Sequence, residues 1–299
     1  MKSFYRSALG AVAVAMVCSI PVHAQTGDTL SKIRSSGKMT FAYRESSVPF
    51  SYLDGPDKPI GFAVDISNAI AAKVRKQTGK PKLTVGWQAV TSANRIPLLQ
   101  NGTIDLECGS TTNNSARGKD VDFAINHFYT GTRLLVKKSA GIQNYADLKG
   151  KTVAITTGTT NMQVVRRYND EKGLGLNIIA TKDHSDAALL VEADRAAAFA
   201  MDDILLFGLR ANSKDPASLE VVGDSLQVEP YACMVRKGDP KFKALVDGVI
   251  TGMMTSGEFA KLYAKWFTSP IPPRNQSIGL PMSKELQDNI KVPSDKPAT

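Results

Sequence analysis

Two α/β lobes, each an open and mostly parallel sheet flanked by helices, form the architecture predicted by this 299-residue sequence. Three observations lead there. In the first half, apolar strand patterns alternate with helix-period patterns, as in a parallel sheet covered by helices. The second half repeats that grammar: "GKMTFAY" from Gly37 has an approximate echo in "GKTVAIT" from Gly150. Length is the third, since it suits one large domain or two of roughly 100–150 residues each.

Residues 1–24 stand apart as an expected signal peptide. Lys2 and Arg6 precede an apolar run at 8–22, and Val22-His23-Ala24 is a small-x-small cleavage site. The run is too short for a stable span, and Val17 before Cys18 does not suit lipoprotein processing. No later apolar stretch is long enough to cross a bilayer, so an exported, soluble chain from about Gln25 is expected.

The mature chain opens with a strand at 39–43. From Gly61, apolar residues at Phe62, Ile66, Ile70 and Val74 mark a helix face, and 81–90 reads as a second strand. Pro97 announces a helix that carries Leu98 and Leu99 and stops at Asn101-Gly102, before a third strand at 103–107. Later come a strand at 152–155, a helix with Met162, Val165 and Tyr168, and a helix after His184 feeding a strand at 196–201. The chain is expected to cross between lobes near 129–132 and to return near 228–231. Lobe 1 is then 25–130 with 231–299, and lobe 2 is 131–230. A helix is expected over about 241–266, then a proline-rich polar tail with a short helix near 284–289.

Composition narrows the function. The net charge of +9 falls to +7 without Lys2 and Arg6, and the lysines are scattered, so nucleic acid is a poor partner. Of three histidines one is His23, leaving too few for a His-rich metal site; no metal or cofactor is expected. Cys108 and Cys233 remain after cleavage, and an even count in an oxidising compartment favours one disulfide.

In open parallel sheets, ligands bind beyond the carboxyl ends of the strands. That rule gathers Arg44 and Glu45, Thr91 and Ser92, Ser110 to Thr112, Thr156 to Thr160, and Asp202 with Asp203 around one cleft. These residue types suit a zwitterionic amino acid. Arg117 offers a guanidinium fork for a carboxylate, and Gly158-Thr159-Thr160 offers N–H groups at a helix start. Asp202 and Ser110 offer oxygens for an ammonium. Arg95 stands at a helix start, where the macrodipole disfavours a cation by roughly 0.3–1 kcal/mol and an anionic partner would be stabilised twice. Simpler readings stand beside these. The run Ser110 to Asn114 is also what a polar surface loop looks like. Arg44 could pair with Glu45, Asp202 or Asp203 could cap the next helix, and His184 could be structural. Phe50 and Tyr52 could be core aromatics or could stack on the ligand.

The chain resembles the periplasmic solute-binding proteins of polar amino-acid ABC transporters, the family 3 bacterial extracellular solute-binding proteins. The carriers are "RESSVPFSY" from Arg44, "NRIPLLQNGT" from Asn94, "ECGSTTNN" from Glu107, "RGKDVDF" from Arg117, "DLKGKTVAITTGTT" from Asp147, "KDHSD" from Lys182, "MDD" from Met201 and "KWFTSPIPP" from Lys265. Several of these are similar to the family's acidic-amino-acid branch. Much of the broad family has Thr-Pro-Glu where this chain has Asn114-Ser115-Ala116, a feature that branch shares.

The resemblance implies the type II, Venus-flytrap fold with two hinge crossings. It implies that Arg117, Thr112 and the Thr160 backbone hold an α-carboxylate, and that Ser110 and Asp202 hold the α-ammonium. Arg44, Ser92, Arg95 and His184 would surround a side-chain carboxylate, with Thr157 and Thr159 nearby. L-glutamate or L-aspartate is the implied ligand, and an inner-membrane ABC permease the implied partner of a periplasmic monomer that makes and breaks no bond. The alternatives are a periplasmic enzyme on the same fold, similar to cyclohexadienyl dehydratase, or a ligand-sensing subunit.

Overall fold

Residues 28–298 are described by the structure, a computed structural model; the expected signal segment lies outside them. The chain enters through α1 (Thr29–Ser36) and β1 (Lys38–Tyr43). Three short strands, β2 (Ser46–Ser47), β3 (Ser51–Leu53) and β4 (Pro59–Ile60), then make a small antiparallel sheet. α2 (Phe62–Thr78) buries Phe62, Ile66, Ile70 and Val74 completely, because a four-residue spacing keeps them on one stripe. β5 (Thr84–Ala89) runs parallel to β1, and α3 (Arg95–Gln100) follows it.

The expected strand 103–107 is reduced to two isolated bridges, Phe41 with Leu106 and Glu107 with Met234. A side chain interrupts it: the Thr40 N–H, which a parallel ladder would give to a backbone carbonyl, donates instead to the Asp105 carboxylate at 3.0 Å. The segment nevertheless joins β1 to the strands beyond, since Ala42 donates to Leu106 O and Glu107 and Met234 exchange backbone bonds.

β6 (Val121–Thr130) leads through Gly131 into β7 (Thr132–Lys137). β7 belongs to the second sheet with β8 (Thr152–Thr156), β9 (Asn177–Thr181), β10 (Ala198–Asp202) and β11 (Leu219–Val222), in the order β11-β7-β10-β8-β9. β9 and β10 flank β8 in parallel, while β7 runs antiparallel to β10 and β11. Helices α4 (Thr160–Lys172), α5 (His184–Glu192) and α6 (Asp203–Asn212) connect these strands. The return strand β12 (Glu229–Arg236) pairs antiparallel with β6, with Glu229 opposite Thr130 where the two strands cross between the sheets.

The helix expected over 241–266 is broken. α7 (Pro240–Ser256) ends at Gly257, whose φ of 78° a helix cannot continue, and α8 (Glu258–Tyr263) restarts before a π turn at Ala264–Thr268. The break folds Phe259 and Phe267 onto the core face of α2, with ring centroids 5.4 and 5.2 Å from Phe62. Phe50 lies among Phe62, Phe128, Tyr231 and Phe267, with centroids 4.9–6.0 Å away, so it is core. Tyr52 is buried too, its hydroxyl donating to Pro272 O. α9 (Lys284–Lys291) leads into a tail that straps across β6: Asn126 donates to Ser294 O, and Ala298 to Asn113 O.

Cys108 and Cys233 form a disulfide, pinning the segment after 107 to β12. It closes a 125-residue separation, a constraint on the unfolded chain that contributes about 2–4 kcal/mol.

A candidate ligand cleft between the two lobes

The two sheets point the carboxyl ends of β1, β5, β8 and β10 at each other, and the lobes touch across that gap at several places. Arg44, following β1, donates through Nη2 to Asp183 Oδ1 at 2.9 Å. Ser185 N donates to Ser46 Oγ at 3.3 Å, and Arg117 Nη2 to Gly158 O at 3.2 Å. Two glycines let the backbones approach. A Cβ on Gly158 would sit 2.6 Å from Ala93 Cα, and one on Gly208 would sit 2.4 Å from Val48 O. The structure is therefore the closed form, with both walls in contact.

At one end of the cleft, two fully buried guanidinium groups come together. Arg44 meets Asp183, not Glu45, and its Nη2 also lies 3.3 Å from His184 Nε2. An arginine nitrogen only donates. His184 Nε2 is thus the acceptor, and Nδ1–H donates to Thr156 Oγ1 at 2.9 Å. His184 orients Arg44 and presents no proton of its own at Nε2. Burial and the neighbouring Arg44 charge pull its pKa down to about 3, which keeps the ring neutral. Arg95 donates Nη1 to Ser110 O at 3.2 Å and stands 4.0 Å from Glu107 Oε1. Burial, then the Arg117 and Arg44 charges, pull its guanidinium down to about 9, still charged at neutral pH. Arg44 Nε and Nη1, Arg95 Nε and Ser92 Oγ are buried with no hydrogen-bond partner among the described residues. Glu107 Oε1, 4.0 Å from Arg95 Nη1, is likewise buried without a hydrogen-bond partner among the described residues, and the donors that it does not reach are costly unless a further anion joins them.

The other end is built from groups that mostly satisfy one another, Asn161 Oδ1 being the buried atom there without a partner among the described residues. Arg117 Nη1 donates to Thr112 O at 3.0 Å, and its backbone N–H to the Asn114 side chain. Thr159 caps α4, accepting from Met162 N and donating to Thr156 O. Thr112 and Thr160 both donate hydroxyls to Glu229 Oε2. Asp202 holds the position that caps α6 but makes no cap bond; its carboxylate accepts from Asn161 Nδ2 and the Tyr231 hydroxyl. Burial, then the Glu229 charge, raise the Asp202 pKa well above the ordinary carboxylate value. Ser110 donates to Ser47 Oγ, and Thr111 to Glu107 Oε2.

The hydroxyl run Ser110 to Thr112 is accordingly no surface loop: all three residues are buried, each bonded to a different partner. Arg44, Ser92, Arg95, Ser110, Thr112, Thr159, Thr160, His184 and Asp202 are buried around the cleft, and half-buried Arg117 bridges it. Thr157 is exposed on the turn, its N–H bonded to Thr181 O; the buried hydroxyl there is Thr156.

Residues 39–269 match the family described as bacterial extracellular solute-binding proteins, family 3. The chain belongs to that family. An L-glutamate/L-aspartate-binding protein of Pseudomonas aeruginosa is 48% identical over 295 residues, 98% of this chain and 97% of its own. A glutamate/aspartate import solute-binding protein of Escherichia coli is 48% identical over 270 residues, covering 90% and 89%. Among solved structures, a mutant of ArgBP from T. maritima matches with a TM-score of 0.71 at 26% identity, covering 80% of this chain and 98% of its own. An ancestral amino-acid-binding protein, described as a precursor of cyclohexadienyl dehydratase, matches with a TM-score of 0.69 at 28% identity, covering 80% and 99%. The relatives at 48% identity are solute-binding proteins, not enzymes, and support the binding reading over the enzymatic one.

Sequence reasoning missed three residues of this family 3 protein's cleft. Asp183 was hidden in "KDHSD", although the Asp183–Asp186 spacing is a capping-box signal and the structure shows that box. Glu229 sat in the returning segment, read only as a crossing. Glu107 closes the strand pattern 103–107 and was given no role there; it is fully buried beside Arg95. Among the described residues no helix is long and apolar enough to cross a membrane, and no cluster of three His, Cys, Asp or Glu could hold a metal ion.

Proposed function

We propose that this protein captures L-glutamate and L-aspartate in the periplasm and delivers them, as a monomer, to an inner-membrane ABC permease. One observation carries the reading: Arg44, Arg95 and Ser92, near the ends of the paired strands β1 and β5, hold buried donors that have no partner among the described residues. An acidic side chain supplies what those donors need, and its carboxylate would draw charge-assisted bonds from both guanidinium groups. Arg117, Thr112, the Thr160 backbone, Ser110 and Asp202 form the end that takes the α-carboxylate and α-ammonium. The 48% identical relatives named for glutamate and aspartate support the same ligand pair. Closure follows from contacts that only the closed form completes, since donors from both lobes then surround one ligand. Residues 1–24 direct export and are removed.

Calorimetric titration with a panel of amino acids tests this. Glutamine matches glutamate in shape but turns an NH₂ toward the arginines, and each mispaired charged contact costs roughly 1.5–3 kcal/mol. Two such contacts predict a preference for glutamate of about 10²–10⁴-fold, at ~1.4 kcal/mol per decade. Glutamine binding within about tenfold of glutamate would sink the assignment of the side-chain end.

A further inference from the structure

We propose that Glu229 is a positioning residue that makes the amino-acid end of the cleft selective for an ammonium group, by taking the hydroxyl protons of Thr112 and Thr160. The inference rests on the proposed capture of an amino acid and assigns work to a carboxyl group that the proposed ligand set does not use.

Glu229 opens β12 where the chain crosses between lobes, and it is fully buried. Its Oε2 accepts from Thr112 Oγ1 at 2.5 Å and from Thr160 Oγ1 at 2.6 Å. Thr112 lies in the segment after Cys108, and Thr160 opens α4 in the other lobe, so one oxygen ties the two walls together. Its Oε1 accepts from Gln227 Nε2. With three donors on its two oxygens, Glu229 acts through the threonines, not by touching the ligand.

A hydroxyl carries one proton. Once Thr112 and Thr160 give theirs to Glu229, only lone pairs are left to face the cleft. The two oxygens stand 3.3 Å apart. A carboxylate brought to that pair meets lone pairs and no proton, whereas an ammonium can donate to both. Asp202, buried and held by Asn161 and Tyr231, supplies the opposite charge. The α-carboxylate then falls to Arg117 and to the backbone N–H groups at the start of α4, a helix of 13 residues. Glu229 thus fixes which oxygens of the amino-acid end accept, and the ligand's orientation follows.

The test is a double-mutant cycle read with two ligands: glutamate, and glutarate, the same diacid without the ammonium. Wild type, Glu229→Gln, Thr112→Val and the double variant are titrated calorimetrically, with glutarate at millimolar concentration. Glu229→Gln is expected to weaken glutamate roughly ten- to hundredfold, the cost of a lost hydrogen bond to a charged group. Glutarate binding should stay within about threefold, and the glutamate loss from Glu229→Gln should be clearly smaller in the Thr112→Val background than in wild type, since only Thr160 is then left to release. Losses that add in the double variant, or that strike both ligands equally, would make Glu229 a hinge brace and overturn the proposal. If Glu229→Gln does not yield folded protein, Thr112→Val and Thr160→Val decide it. Hydroxyls that accept from an ammonium lose glutamate and spare glutarate; hydroxyls that donate to a carboxylate weaken both, which refutes the idea. Wild-type protein that does not bind glutamate removes the proposed function as well, a result distinct from equal losses on a wild type that binds.

Discussion

The two ends of the cleft solve opposite problems with the same residue types. At the side-chain end, Arg44 and Arg95 keep three buried nitrogens, and Ser92 a buried hydroxyl, without partners among the described residues. At the amino-acid end, Thr112, Thr160, Asp202 and Glu229 spend their hydrogen bonds on one another. A buried donor without a partner costs about 1–3 kcal/mol, so the first end rewards whatever supplies an anion. The second end loses little when the cleft is empty and is a rigid frame. On the proposed reading the unsaturated end selects a side-chain anion, and the saturated one holds and orients the amino-acid group.

The strongest test of that contrast is Arg44→Ala. It removes spare donors and also strands Asp183, whose carboxyl, although burial pushes it up, is held below the usual range by the Arg44 charge and the His184 backbone N–H. Breaking one partner of a buried pair costs about 3–5 kcal/mol. Glutamate affinity should fall by a hundredfold to a few thousandfold by titration; a fall below about tenfold would mean that the spare donors do not serve the ligand.

Arg117→Ala probes the other end. Loss of a charge-assisted fork costs roughly 1.5–3 kcal/mol. Glutamate and aspartate should weaken by similar factors, about ten- to a hundredfold, with thermal unfolding of the unliganded protein nearly unchanged. A large drop in unliganded stability would make Arg117 a structural tie between Thr112 and Gly158.

Acid should act on His184 at the side-chain end and on His127 in the core. Burial lowers His127 to about 4, and burial with Arg44 lowers His184 to about 3. Between those values and the unfolded pKa near 6.5, the unfolded chain binds protons that the folded protein refuses. The stability they provide is complete above about pH 6.5 and is lost as pH falls toward 4 and 3, by about 2 kcal/mol per histidine at pH 5. Urea unfolding from pH 7 to 5 measures it. His184→Gln should flatten the slope; an unchanged slope would put a charged imidazole in the folded cleft.

Gly158→Ala should have the smallest effect on selectivity. Its φ of 79° strains any Cβ, by roughly 1 kcal/mol, and that Cβ would press on Ala93. Because the overlap is with backbone and opposes closure, affinity for glutamate and aspartate should fall by more than about tenfold, with no change in the preference between glutamate and glutamine. Altered discrimination in this variant would show that closure at Gly158, and not the spare donors, reads the side chain.

Much of the fold was legible because its signals are local. The stripe Phe62, Ile66, Ile70, Val74 needs only the helix period. The segment 103–107 was legible as apolar, but its pairing was not, since Asp105 takes a ladder donor from a strand 65 residues away. The helix break at Gly257 was misread because its apolar pattern continues on both sides; the packing of Phe259 and Phe267 on Phe62 favours the bend.

Residue types and strand-end positions by themselves set the expectation that Arg44, Arg95, Ser110 to Thr112, Arg117 and Asp202 face one cleft, because strand ends in a parallel sheet converge whatever the loops do. Only the tertiary structure decided who bonds to whom. Arg44 chose Asp183 over its neighbour Glu45, His184 became an acceptor, and Thr112 met Thr160 on a Glu229 carboxylate 117 residues further along the chain. A hydrogen bond depends on tenths of an ångström and on which partner arrives first in space, and neither is written in the spacing of residues along a chain.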